Sequence, residues 1–146
     1  MIKNKKNQIL PEHKLFLGLF LAFEKLLKKM LVPLFQRKKL TPSFFREFKK
    51  QEEAFSLSDL AEKKLVLLQL DRLLEKALES LGIEGSGLGE KLKAARGFID
   101  NQEVYSAAWR AHKLRNRLAH GEETKEEELQ AAFRDFQRVF YNLFSR

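Results

Sequence analysis

The chain has 146 residues, 44% of them hydrophobic and 33% charged, with a net charge of +8 and no cysteine. A chain of this length buries about two-thirds of its unfolded surface, enough for one core without staples. The lack of cysteine excludes disulfides, thiolate metal sites and Cys nucleophiles together, and fits a reducing, cytoplasmic setting.

The charge is unevenly placed. Residues 1–50 hold 13 Lys/Arg against 3 Asp/Glu, while residues 51–146 hold 15 against 17. Such an N-terminal excess attracts an anionic partner, such as nucleic acid or an anionic membrane face, with an affinity that falls as salt rises; the plainer reading is a solvated basic flank. Residues 1–10 read as a basic, flexible tail and residues 11–146 as a single helical domain. After Pro11, a plausible first-turn residue, the spacing of Leu15, Leu19, Phe23, Leu26, Leu27 and Met30 predicts an amphipathic helix that ends before Pro33. Its longest apolar run, Leu15 to Phe23, is nine residues, where a membrane span needs about 20. Glu24, Lys25, Lys28 and Lys29 follow at once, so neither a span nor a cleaved leader is expected.

Thr41 and Pro42 predict the start of a shorter helix with Phe44, Phe45 and Phe48 on its sticky face, fading near Glu53. A third helix is expected from a Ser58 cap to about Leu81, stopped by Gly82. Its middle is apolar nearly all round: Leu65, Val66 and Leu68 join the stripe of Leu60, Leu67, Leu70, Leu74 and Leu78, which predicts a central helix. Four of the seven glycines then fall between Gly82 and Gly89. This stretch reads as a mobile loop; it has neither phosphate-loop spacing nor the preceding strand that such loops require.

A short helix is expected over residues 90–99, and Asp100 or Asn101 should cap the next, which runs to His120. Thr124 with Glu127 three positions on predicts a capping box for the last helix, with Leu129, Ala132, Phe133, Phe136, Val139, Phe140 and Leu143 as its buried face. No segment reads as a strand. The fold class expected is all-α, an antiparallel bundle of four or five helices with short links.

The richest chemistry lies in "AWRAHKLRNRLAHGEE", residues 108–123. Turned at about 100° per residue, the helix places Val104, Ala107, Ala111, Leu114 and Leu118 toward the core, with Arg115 at the edge. His112, Asn116 and His120 follow along one flank beside Trp109, while Lys113, Arg117 and Arg110 point outward. Histidine can move a proton near neutral pH, and arginine holds phosphate in a fork of donors. Arg115 and His120 are therefore candidate catalytic groups, with Trp109, His112, Lys113 and Arg117 as candidate substrate contacts. Two plainer readings stand beside this one: cations favour the negative end of a helix dipole, and His112 and Trp109 can serve simply as packing residues. The histidines lie too far apart along the helix for one metal to bridge them, and no cofactor is expected.

"RNRLAH", Arg115–His120, followed by Gly121 and a final amphipathic helix, resembles the R-N-x-x-x-H form of the HEPN superfamily signature, and the likeness extends over roughly residues 58–146. The resemblance implies a helical bundle, often a homodimer, in which two copies of the motif form one site. It also implies a metal-independent endoribonuclease with a toxin or defence role, and a cognate antitoxin or nucleotidyltransferase as a partner. Carried over, His120 is the acid or base at the RNA 2′-hydroxyl or leaving oxygen, Arg115 stabilises the transition-state charge, and Asn116 orients it. Some of these toxins carry a modifiable tyrosine two positions after the histidine; here Glu122 stands there. Other members of the superfamily are non-catalytic modules that bind RNA or a partner protein, which is the alternative expectation for this chain.

Overall fold

The computed structural model describes residues 38–146, a compact unit by itself. The basic tail expected over residues 1–10 and the helix expected between Pro11 and Pro33 lie outside the described residues. The described chain is all-α, with five α-helices: α1 (Pro42–Leu57), α2 (Leu60–Ser80), α3 (Leu88–Ala94), α4 (Gln102–Ala119) and α5 (Glu126–Phe144). A 3-10 turn at Ala95–Gly97 extends α3, and no strand occurs among the described residues.

The sequence explains why each helix begins and ends where it does. Pro42 occupies the first turn of α1, where its missing N–H costs nothing. Thr41 precedes it, but its hydroxyl meets Ser43 Oγ at 2.6 Å and does not cap the backbone. The helix passes the expected end near Glu53 because Phe55 is buried and Ser58 closes the last turn, its hydroxyl donating to the Ala54 carbonyl at 2.6 Å. Ser58, expected as the cap of α2, is thereby committed to α1. Asp59 caps α2 instead: its Oδ1 accepts from the Glu62 N–H at 2.9 Å, and Glu62 accepts from the Asp59 N–H at 3.3 Å. This reciprocal box satisfies two orphan donors with charged acceptors, which a serine hydroxyl does less strongly.

Gly82 ends α2 in the left-handed region at φ 86°, and Ile83 N–H reaches back to the Leu78 carbonyl at 3.0 Å. Gly121 ends α4 in the same manner, with φ 74° and the Glu122 N–H on the Arg117 carbonyl at 3.1 Å. The expected box at Thr124 moves by one residue. Lys125 is the N-cap of α5, and Glu128, not Glu127, accepts its backbone N–H at 3.0 Å. Arg117 is the cause, since its Nη1 holds the same Glu128 carboxylate at 2.7 Å.

The helices run antiparallel where the paired residues show their register. Along α1 and α5, Phe45 meets Phe144, Phe48 stacks on Phe140 and Phe55 on Phe133, the last pair with ring centroids 3.9 Å apart. Between α4 and α5, Glu103 pairs with Arg138, Arg110 with Asp135 and Arg117 with Glu128. All seven residues expected on the inner face of α5 are buried. α2 touches each of the other helices, the central role expected of it, with Val66, Leu67, Leu70, Leu74, Ala77 and Leu78 buried. Its second apolar face is different: Leu60 and Leu65 are exposed and Leu68 is only partly covered.

Two polar clusters tie the bundle. Lys91 of α3 is buried, its Nζ 3.2 Å from Glu75 and 3.9 Å from Glu79. At the other end, Glu52 accepts from Lys49, from Gln137 Nε2 at 2.8 Å and from the Tyr141 hydroxyl at 3.0 Å. Burial by itself pushes the Glu52 carboxyl up, but these donors outweigh it and hold it below the usual carboxylate range.

Truncating Phe136, which is wholly buried, to alanine is expected to destabilise the fold by about 3–5 kcal/mol in urea titration. A loss under about 1 kcal/mol would contradict the packing. Because the Glu52 carboxyl is lowered in the folded chain, its contribution is full above the ordinary carboxylate value and is lost as pH falls through the lowered one. The gap in urea midpoint between the wild type and Glu52→Gln should therefore close on acidification; a gap independent of pH would refute the assignment.

Candidate functional site

α4 is positioned by its cap and its core face. Asn101 Oδ1 accepts from the Glu103 and Val104 N–H groups at 2.9 and 3.2 Å. Val104, Ala107, Ala108, Ala111 and Leu114 are buried, and Leu118 is partly buried. Ala108, which the wheel did not assign to the core, lies next to Arg115 in angle and widens the buried sector up to that residue. Arg115 is therefore at the boundary between core and solvent, as its spacing predicts, with its side chain 28% exposed.

Its partner comes from α2. Asp71 is 3% exposed, and both of its carboxylate oxygens are engaged. Oδ1 lies 2.8 Å from His112 Nδ1, and Oδ2 lies 3.2 Å from Arg115 Nε at ion-pair distance without the alignment of a hydrogen bond. Arg115 Nη1 donates to Asn116 Oδ1 at 3.1 Å, and Asn116 Nδ2 meets His112 Nε2 at 3.3 Å. Four side chains thus close a ring: Asp71, His112, Asn116 and Arg115. Trp109 stands edge-on to the His112 ring with centroids 6.1 Å apart. Gly89 of α3 completes the enclosure, since a Cβ there would sit 3.5 Å from His112 Nε2.

His120 lies apart from this ring. It is the C-cap of α4 and exposed, and its side chain makes no hydrogen bond or ion pair among the described residues. Helix geometry sets Arg115 and His120 about 140° apart around the axis and about 7.5 Å apart along it, so they bracket the flank that carries Ala119, His112 and Asn116. The outward cations differ again. Arg117 is held by Glu128 at 2.7 Å and Glu122 at 3.0 Å, and the Glu128 bond, then the Glu122 bond, push its guanidinium up. Arg110 forks onto Asp135 at 2.7 and 2.9 Å and also holds Glu103. Lys113 is exposed and unpaired among the described residues, at the rim of a groove of about 350 Å³ between α4 and α5 whose floor includes Leu114 and Ala132.

Of the seven candidate residues, the fold brings Arg115, Asn116, His112 and Trp109 together. It leaves His120 free at the helix end, commits Arg117 to the turn before α5 and sets Lys113 outside. Sequence reasoning missed Asp71 and Gly89. Asp71 did leave a signal: it is the lone acid inside the apolar stretch "LVLLQLDRLL" of a helix expected to be central. Among the described residues no group of three or more His, Asp or Glu is arranged to hold a metal ion, and no helix is long and apolar enough to cross a membrane.

The ion pairs of Arg117 hold the α4–α5 turn, so Arg117→Ala is expected to speed amide exchange at residues 121–125 while leaving the Asp71 ring unchanged by NMR. Exchange as slow as in the wild type would show that the pairs do not hold the turn. Compared with models of known protein families, with curated proteins and with solved structures, the chain matches none.

Proposed function

We propose that this protein is a metal-independent endoribonuclease of the HEPN type, acting as a homodimer whose two α4 motifs share one site, with a toxin or defence role and a cognate antitoxin as partner. The observation that carries this reading is the Asp71-centred ring, which fixes Arg115 and Asn116 on one flank of α4 while His120 stays free for proton transfer just beyond. RNA cleavage without a metal needs a base to take the proton of the 2′-hydroxyl as it attacks the adjacent phosphorus. It needs a cation on the phosphoryl oxygens and an acid to protonate the departing 5′-oxygen. Imidazole supplies the proton steps and guanidinium the charge.

The angular separation of Arg115 and His120 favours a site completed by a second chain. In the proposed dimer a two-fold axis sets Arg115 of one protomer beside His120 of the other, so that one phosphate meets both. The lysines of the N-terminal region supply the long-range attraction for RNA.

A second reading is favoured by another observation. Leu57, Leu60 and Leu65 are exposed, and Leu60, Leu65, Leu68 and Leu118 line a groove of about 590 Å³ that holds none of the ring residues. A non-catalytic module docking a partner protein would use such a face. Labelled RNA incubated in EDTA separates the two. Cleavage by the wild type, reduced at least about 100-fold in both His120→Ala and Arg115→Ala, is the expected result. Equal cleavage by all three proteins, or none over varied RNA substrates, sinks the nuclease reading.

A further inference from the structure

We infer that Asp71 is a positioning residue of this site, setting the proton on His112 and through it the orientation of Asn116 and Arg115; the inference rests on the ribonuclease reading above. Donor and acceptor polarity runs one way around the ring. An ionised carboxylate only accepts, so His112 Nδ1, 2.8 Å from Asp71 Oδ1, must carry the hydrogen. In the neutral imidazole Nε2 is then the acceptor, and the Asn116 group 3.3 Å away must be its amide nitrogen. That turns Asn116 Oδ1 toward Arg115, whose Nη1 donates to it at 3.1 Å. The guanidinium returns to the start, with Nε 3.2 Å from Asp71 Oδ2.

Every junction pairs a donor or cation with an acceptor. Turning the Asn116 amide over would set oxygen against the bare Nε2 and NH₂ against the guanidinium, two repulsions at once. Asp71 thus acts on Asn116 without touching it. Asp71 cannot drift away, because a carboxylate so deeply buried is costly to leave unpaired.

The ring also determines which donors remain. Among the described residues Arg115 Nη2 makes no hydrogen bond, and one hydrogen of Asn116 Nδ2 is unspent. These adjacent donors on one flank are what a phosphoryl oxygen needs. Among the described residues His112 meets Gly89 of α3, Trp109 and Asn116 of α4 and Asp71 of α2, and the one cation beside this set is Arg115, held on the other oxygen of Asp71.

The test uses Asp71→Asn and Asp71→Glu in the full chain, with two readouts. Nitrogen-15 NMR of the imidazoles reports which ring nitrogen of His112 carries the proton, and steady-state cleavage of labelled RNA in EDTA gives kcat and KM separately. In the wild type His112 should be the Nδ1–H tautomer. Asp71→Asn should lose that single tautomer and lower kcat by about 10–100-fold with little change in KM, and Asp71→Glu should recover part of both. A folded Asp71→Asn protein that keeps the wild-type tautomer, or the wild-type kcat, overturns the inference. Should Asp71→Asn fail to fold, Asn116→Asp decides: a carboxylate facing Nε2 must drive His112 out of the Nδ1–H neutral form, and an unchanged imidazole overturns the ring. A wild type that cleaves no RNA overturns the ribonuclease reading alone, and the His112 tautomer then judges the ring by itself.

Discussion

A carboxylate shut away from water between two helices must be met by donors or cations, and Asp71 is met by both. Its pairing with His112 and Arg115 fixes the register of α2 against α4 at the point where the polar flank of α4 begins. Breaking one partner of such a buried pair costs far more than the pair gains over an apolar substitute. The interaction is therefore better understood as specifying geometry than as supplying stability. Hydrophobic burial along α5 and the middle of α2 holds the fold, and the Asp71 ring selects the one arrangement of side chains on its margin.

The same acidic stripe continues along α2. Asp71, Glu75 and Glu79 recur every four residues, so they share a face; the first takes His112 and the Arg115 cation from α4, and the other two hold Lys91 of α3. Gly89 and Lys91 sit on the same short helix, so α3 carries both the ion pairs to α2 and the close approach to His112. Packing and electrostatics meet here. On the opposite side of α4, Arg110 and Arg117 are bound to acids of α5 and its preceding turn, which leaves most of the free hydrogen-bonding capacity of the motif on the Arg115 to His120 flank.

Among the described residues, periodicity was enough to find the helices and the buried sides of α4 and α5. The inner face of α5, the core sector of α4, the Asn101 cap and the glycine stops at Gly82 and Gly121 all follow from spacing and local backbone chemistry. Caps proved sensitive to competition that spacing does not contain: Ser58 serves the helix before it, and Arg117 draws Glu128 into the box expected of Glu127. Hydropathy also overstated the burial of α2, because Leu60 and Leu65 are as apolar as their neighbours yet face outward. Asp71 stood out as a lone acid in an apolar stretch, but its partners were beyond reach for a different reason. Its partner His112 is 41 positions away, and a sequence pattern records which side a residue takes without naming what it meets across the bundle.

The account turns on whether Arg115 and His120 act on the same phosphate. The most direct measurement is a crystal structure of the protein with a short RNA whose 2′-hydroxyl at the cleavage position is replaced by hydrogen. The account predicts a two-fold dimer in which one phosphate lies within hydrogen-bond distance of Arg115 from one protomer and His120 from its partner. A monomer, or a dimer in which the RNA phosphates lie on other residues and these two side chains face separate surroundings, would contradict it.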